Sequence, residues 1–178
     1  QAADYYARIE SEAGEVTFFE RAGGASLRLH LPLPGRHQAL NALFAVAVGR
    51  TYGVGWDDIR AALEAFNGQP MRWERQTIGG VTVINDAYNA NPVSMAAALQ
   101  TFATMQIPGR RWLVLAGMLE LGGLERKMHR ELGEALTRGP WAGLITVGAL
   151  GKIIAEAALA KGLNAAKIYA CADHDEAA

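Results

Sequence analysis

The sequence has little of what disulfide-rich, nucleic-acid-binding or membrane proteins require. It contains one cysteine in 178 residues, which excludes an internal disulfide framework and favours a reducing compartment. Its 17 basic and 18 acidic residues leave a net charge of -1, so there is no electrostatic case for nucleic acid or an anionic membrane. No apolar run is long enough to span a bilayer. We therefore expect a cytoplasmic globular protein with no nucleic-acid partner and no membrane insertion.

Neither end of the sequence carries the features of a chain terminus. The first residue is Gln1, with no basic and apolar stretch of a secretory signal after it. Residues 173–178 predict a helix that has only begun. We expect this chain to be a segment of a longer protein.

The first part of the chain predicts a hairpin followed by helices. Residues 16–19 and 27–31 are β-type runs separated by a glycine turn, which indicates an antiparallel pair. Helices are predicted over 37–52 and 57–66. The expected core-facing residues of the first helix are Leu40, Leu43, Phe44 and Ala47.

The pattern after residue 70 alternates strand and helix. Its predicted elements are the strands 81–84, 112–116, 144–147 and 167–171 and the helices 92–102, 124–136 and 149–161. Apolar strands in such an alternation predict an α/β fold with a parallel sheet covered by helices on both faces. The segment 67–70 breaks the pattern, so we place the domain boundary between residues 1–70 and 71–178.

The most informative segment, residues 85–91, is a polar elbow after the strand 81–84. It carries acceptors, amide donors and one aromatic ring, and Asp86 is its only carboxylate. Asn91 followed by Pro92 fits a helix N-cap and first helical position. Because ligands bind at the carboxyl ends of parallel strands, we expect the elbow to lie at a binding edge.

Four motifs resemble those of the Mur ligases. They are the elbow NDAYNANP at residues 85–92, the helix start GRHQALNA at 35–42, Arg72 in MRWE, and LAGMLELG at 115–122 followed by His129. The order and spacing agree with that family, and the motifs span nearly all of the chain. The elbow is the most specific of the four, since the helix-start pattern is shared with folylpolyglutamate synthetase.

The resemblance implies a fold and an activity. Residues 1–70 would be the distal β-hairpin and helices of a central ATPase domain, and residues 71–178 most of a Rossmann-like C-terminal domain. The activity would be ATP-dependent amide formation that adds D-alanyl-D-alanine to UDP-N-acetylmuramoyl-tripeptide through an acyl phosphate, a step of peptidoglycan precursor synthesis. The partners would be these substrates with ATP and Mg²⁺, the magnesium ligands would lie upstream of this chain, and the protein would be a monomer.

The resemblance also implies roles for individual residues. Asn41, with Gln38 beside it, would meet the adenine of ATP. Asp86 would accept hydrogen bonds from the ribose, and Arg72 would be the catalytic residue that binds nucleotide phosphate. The dipeptide side of the cleft would be lined by Tyr88, Asn89 and Asn91.

The sequence departs from the family pattern at three places. Gln38 stands where the family has Asn, and Gly117 replaces an Asp. There is no GxxGK[ST] phosphate loop, because the nearest segment, residues 148–152, has the wrong spacing and is followed by Ile153. We therefore predict that this chain alone has no ligase activity.

Local explanations compete with these roles. Asp86 suits a plain turn before a helix. Arg72 could stack on Trp73 or pair with Glu74. His129 is expected to cap or pack its helix without a catalytic role, and the four histidines lack paired metal-ligand spacing, so no metal site is predicted.

Two other functions remain open. One is a different Mur or folylpolyglutamate-type ligase, against which the elbow argues. The other is a non-catalytic nucleotide-binding module, which the residues at positions 38 and 117 favour.

Overall fold

The computed structural model describes residues 3–11 and 14–178 of the chain. Its internal contacts form two compact units, one ending at Tyr88 and the other comprising Asn89–Ala178. The first unit contains β1 (Tyr5–Ile9), β2 (Glu15–Glu20), β3 (Ser26–His30), α1 (Arg36–Thr51), α2 (Trp56–Glu64), β4 (Glu74–Ile78) and β5 (Val81–Asn85). The second contains α3 (Pro92–Thr104), β6 (Arg111–Leu115), α4 (Glu125–Leu136), β7 (Trp141–Val147), α5 (Gly148–Ala160), β8 (Ile168–Cys171) and α6 (His174–Ala177).

An antiparallel sheet of order β1-β2-β3 forms the base of the first unit. Alternate residues of β2 and β3 point to the core, where Val16, Phe18, Leu27 and Leu29 are buried. Helices α1 and α2, together with Leu31 after β3, supply the rest of the buried core residues. The hairpin predicted over residues 16–19 and 27–31 is confirmed, and β1 adds a third strand to it.

The buried face of α1 differs from the expected one. Ala39, Ala42 and Val46 face the core, whereas Leu40 and Phe44 are exposed. The prediction was wrong for Leu40 and Phe44, whereas Leu43 packs against the core. Because α1 is apolar on more than one side, helical periodicity does not distinguish its faces. Small side chains occupy the face that packs on the sheet.

The strand predicted over residues 81–84 forms, but it does not belong to the parallel sheet. As β5 it pairs antiparallel with β4 in a separate two-stranded sheet, and it is mostly exposed. Gly79 and Gly80 join the strands with φ values of 57° and 82°, as a two-residue hairpin turn requires. The prediction of a helix-covered parallel strand was therefore wrong, because β4 and this glycine pair make a local hairpin.

The second unit is built on a parallel sheet of order β6-β7-β8. Leu113 of β6 and Leu144 of β7 pack with α4 and α5 in one core. Leu132 and Leu136 of α4 are buried, as its four-residue spacing predicts. The expected Rossmann-like α/β class is confirmed by this sheet.

The two compact units of the structure and the two domains predicted from the sequence have different boundaries. Contacts place β4 and β5 in the first unit, whereas the sequence predicts a boundary after residue 70. The domain assignment of 1–70 and 71–178 stays a prediction.

Candidate functional site

The elbow continues the register of the β4–β5 hairpin beyond the last strand pair. Glu74 lies opposite Asn85, and Trp73 then donates its N–H to Oδ1 of Asp86 at 3.0 Å. Two residues further, the N–H of Tyr88 donates to the carbonyl of Met71 at 3.0 Å. The segments 71–73 and 86–88 are therefore held side by side.

Asp86 is an exposed carboxylate that is anchored by one oxygen. Its Oδ1 accepts from Trp73, whose side chain is buried at 6% exposure. In the described ranges 3–11 and 14–178, no hydrogen bond or ion pair reaches Oδ2. The carboxylate is thus oriented by the fold and keeps an acceptor for a ligand.

The turn that carries Arg72 has an unusual backbone. Met71 and Trp73 have φ values of 58° and 55°, in the left-handed region that non-glycine residues rarely adopt. The Met71 N–H donates to Oε2 of Glu74 at 2.9 Å. This hydrogen bond, together with the Gln76 amide that donates to Oε1, lowers the pKa of the Glu74 carboxyl. Such strain persists only where surrounding contacts maintain it, and it is common at functional sites.

Arg72 stacks on the ring of Tyr88. Its Cζ atom lies 4.2 Å from the ring centroid, within the range of a cation–π contact. Both side chains are exposed. The two local alternatives for Arg72 were stacking on Trp73 and an ion pair with Glu74. The guanidinium stacks on Tyr88 instead. The Glu74 carboxylate accepts hydrogen bonds from Met71 and Gln76.

His37, at the start of α1, lies within electrostatic range of Asp86. Partial burial lowers the pKa of its imidazole, and the Asp86 carboxylate acts in the opposite direction by favouring the imidazolium. His37 of the motif at residues 35–42 and Asp86 of the elbow are therefore electrostatically coupled within the first unit.

Gln38 and Asn41 lie at a cavity of about 240 Å³ in the first unit. Its other lining residues are Leu31, Pro32, Leu33, Ala42, Ala45, Leu63 and Phe66. Asn41 donates from Nδ2 to Oε1 of Gln38 at 3.4 Å, so the two amides touch. The cavity thus combines mostly apolar walls with a pair of amide groups.

The remaining elbow residues belong to the second unit. Asn91 caps α3, where its Oδ1 accepts from the N–H groups of Val93 and Ser94 at 3.0 and 2.9 Å. The Ser94 hydroxyl accepts from the Asn91 N–H, which completes a capping box. The predicted N-cap is confirmed. Within the described ranges, no hydrogen bond engages the side-chain amide nitrogen of Asn91. Asn89 is exposed.

The loop at residues 115–122, the fourth motif, is hydrogen-bonded by His129, a residue for which the sequence predicts no catalytic role. His129 is fully buried on α4 and binds the backbone of Met118 through Nε2. Gly117, in the same loop, has no room for a side chain, because an added Cβ would lie 2.7 Å from Cβ of Leu150. In the sequence, the signal for the contact of His129 with Met118 is a histidine among the apolar residues of a helix. No local pattern indicates the close approach of Leu150 to Gly117.

Neither a metal-ligand cluster nor a membrane-spanning helix is found among the described residues. Over the described residues, no three His, Cys, Asp or Glu side chains are grouped so that they could hold a metal ion. None of the helices there combines the length and apolarity needed to cross a bilayer.

Comparisons with known proteins place this geometry in a family. Residues 71–178 match the model of the Mur ligase, glutamate ligase domain. The UDP-N-acetylmuramoyl-tripeptide–D-alanyl-D-alanine ligase of Bacillus subtilis is 38% identical over 157 residues, which cover 88% of this chain and 34% of that protein. The Escherichia coli ligase of the same name is 37% identical over 141 residues, 79% of this chain and 30% of that protein.

A solved structure gives the same result. A crystal structure of MurF from Acinetobacter baumannii has a TM-score of 0.84 and 31% identity, covering 99% of this chain and 38% of that chain. This chain spans about a third of the length of the curated relatives, at 34% and 30%. With more than half of its residues matched by the family model, the chain belongs to the Mur ligase family.

Proposed function

We propose that this chain is part of an ATP-dependent amide ligase that adds D-alanyl-D-alanine to UDP-N-acetylmuramoyl-tripeptide. Relatives of that name at 38% and 37% identity support the substrate pair. The single observation that carries the proposal is the junction at the end of the β4–β5 hairpin. There, Arg72 offers free donors beside the anchored carboxylate of Asp86.

This junction has the chemistry that a nucleotide needs. A guanidinium forms charge-assisted hydrogen bonds with phosphate oxygens, each contributing about 1.5–3 kcal/mol. The free oxygen of Asp86 accepts from ribose hydroxyls. We assign Arg72 to the phosphates, as the catalytic residue of this chain, and Asp86 to the ribose.

The cavity beside α1 suits the base of the same nucleotide. Its apolar walls would cover the faces of adenine, and the carboxamide of Asn41 would pair with the N6 amino group and N7. Gln38 contacts that carboxamide and would fix its orientation. The longer side chain of Gln38 thereby has a role at this position.

In the proposed reaction, ATP phosphorylates the carboxylate of the tripeptide, and the amine of the dipeptide then displaces phosphate from the acyl phosphate. The residues of this chain contribute positioning and charge neutralisation. Asn89 and the free amide nitrogen of Asn91 are assigned to the dipeptide side. Tyr88 would offer the dipeptide its hydroxyl and the ring face that Arg72 leaves uncovered.

Over the described residues, no group of three or more His, Cys, Asp or Glu side chains could hold a metal ion. The proposal assigns no residue of this chain to Mg²⁺. The requirement for Mg²⁺, a cytoplasmic location and a monomeric state belong to the same proposal.

The test is phosphate release from ATP by the protein encoded by the natural gene, with UDP-N-acetylmuramoyl-tripeptide as acceptor. D-alanyl-D-alanine is compared with single amino acids, including L-alanine and D-glutamate. We expect release only with the dipeptide, and none from the 178-residue chain alone. Release with a single amino acid would indicate a different ligase of the family.

A second candidate is a nucleotide-binding module without ligase activity. It is favoured by position 117, where Leu150 occupies the space that a family-type carboxylate would need. Binding of ADP without phosphate release for any amine would support this candidate.

A further inference from the structure

The stacked pair of Arg72 and Tyr88 leaves the binding capacity of the guanidinium intact. A cation–π contact uses the planar face of the group, whereas its five N–H donors lie in the plane and point outwards. Over residues 3–11 and 14–178, no side-chain hydrogen bond or ion pair engages these donors. The ring therefore holds Arg72 without competing with an anion.

The backbone fixes the relative position of these two side chains. The hydrogen bond from Tyr88 N–H to the Met71 carbonyl lies on one side of Arg72, and the bond from Trp73 N–H to Asp86 lies on the other. Positive φ values at Met71 and Trp73 set the direction in which the intervening residue leaves the turn. The hairpin register thus brings residues 72 and 88 side by side, where their side chains stack.

An exposed arginine without such a contact would sample many rotamers, and ordering it on a ligand would reduce the affinity. Tyr88 removes part of that entropy loss in advance. Its ring is 64% exposed and adds little to the core, so its role is not explained by packing.

We propose that Tyr88 is a positioning residue that holds the Arg72 guanidinium ready for the phosphates of the bound nucleotide. This inference rests on the proposed function, because it takes the nucleotide as the ligand of Arg72. It adds to Tyr88 a role towards the nucleotide that is separate from any contact with the dipeptide.

The test compares ADP affinity among variants of the protein encoded by the natural gene. Tyr88→Leu should weaken ADP binding about two- to fivefold, the factor that corresponds to an exposed cation–π contact. Tyr88→Phe should restore the affinity, because it keeps the ring face. Tyr52→Leu is the matched control, since Tyr52, the C-cap residue of α1, is 83% exposed and belongs to no proposed site.

Two further readouts separate positioning from a general structural role. In an Arg72→Ala background, Tyr88→Leu should cause no additional loss of ADP affinity. In protein with labelled arginine, the Cδ protons of Arg72 should be shifted upfield by the ring in the unmodified protein and in Tyr88→Phe. This upfield shift should be absent in Tyr88→Leu.

The proposal is overturned if Tyr88→Leu weakens ADP binding equally with and without Arg72, or if the Arg72 proton shifts do not depend on the ring. Absence of ADP binding to the unmodified protein would overturn both this inference and the proposed function. ADP binding without phosphate release for any amine would overturn only the ligase function. The double-mutant comparison would then still decide the role of Tyr88.

Discussion

The Nε2 atom of His129 accepts a hydrogen bond from the backbone N–H of Met118 at 2.8 Å, and both residues are completely buried. Because Nε2 is the acceptor, Nδ1 carries the proton and donates to the carbonyl of Glu125 at 2.6 Å. One imidazole thus joins the loop after β6 to the first turn of α4.

We expect His129→Leu to lower the free energy of unfolding of the second unit by about 1–3 kcal/mol, the cost of a buried N–H left without a partner. Urea denaturation measures this, with His174→Leu as the control, since the side chain of His174 is 89% exposed. Equal stability of the two variants would show that the hydrogen bond to Met118 contributes nothing.

Gly117 and Leu150 form a second pair whose coupling can be measured. Gly117→Ala places a Cβ 2.7 Å from Cβ and Cδ1 of Leu150, so we expect overpacking to destabilise the fold by about 1–3 kcal/mol. Leu150→Ala should remove part of the penalty when the two substitutions are combined. Thermal denaturation of the single and double variants gives the coupling.

The control for this pair is Gly123→Ala, because a Cβ at Gly123 meets nothing within 4 Å. If Gly117→Ala were as stable as Gly123→Ala, the loop would move without cost and Leu150 would not restrict position 117. By the same geometry, Gly117→Asp should be tolerated better when residue 150 is small.

Asp86→Asn separates the two roles of this carboxylate. The amide oxygen can still accept from Trp73, so we expect the stability to change by less than about 0.5 kcal/mol. Loss of the charge should weaken ADP binding by about 1 kcal/mol, the difference between a charge-assisted and a neutral hydrogen bond. Calorimetric titration with ADP and a melting curve of the same sample measure the two effects.

Asp86→Ala should lose both affinity and stability, since the Trp73 N–H would have no acceptor. Unchanged ADP affinity in Asp86→Asn would remove the proposed ribose contact and leave Asp86 with a structural role only.

The pKa of His37 reports on the same carboxylate. Burial lowers this pKa below its ordinary value of 6.5, and Asp86 partly opposes the shift. Asp86→Asn should therefore lower the pKa of His37 further, because the imidazolium loses a nearby negative charge. Proton NMR titration of the imidazole resonances measures this, with those of His174 as an internal reference.

The sign of the linked stability follows from the depressed pKa. Neutral His37 contributes stability that is fully present above pH 6.5 and is lost as the pH falls through the folded-state pKa. His37→Gln should abolish this part of the pH dependence. An unchanged His37 titration in Asp86→Asn would contradict the electrostatic coupling.

Much of the secondary structure could be predicted from local patterns. The predicted helix 92–102 corresponds to α3 (Pro92–Thr104), and its Asn91 cap was identified because the chemistry of a cap depends on neighbouring residues. The β4–β5 hairpin also has a local signal in Gly79 and Gly80, which a prediction based on the alternation of strand and helix does not use. The buried face of α1 had no local signal, because several of its faces are apolar.

For the candidate site, too, the motifs indicate some features and only the structure shows others. Motif resemblance selected Gln38, Asn41, Arg72 and Asp86, whose proposed roles await the experiments above. It did not indicate that Arg72 stacks on Tyr88 or that Gln38 touches Asn41. The orientation of an exposed side chain depends on the residues brought beside it, and motif spacing carries no such information.

The sequence by itself determined the family, the α/β class and the segments that form helices and strands, because these follow from periodicity, capping residues and motif order. Only the tertiary structure decided which segments meet: the turn at residues 71–73 with the elbow, His129 with Met118, and Gly117 with Leu150. Each of these contacts joins residues from different elements or loops. Each contact depends on hairpin register and helix packing, and these are determined by interactions throughout the chain.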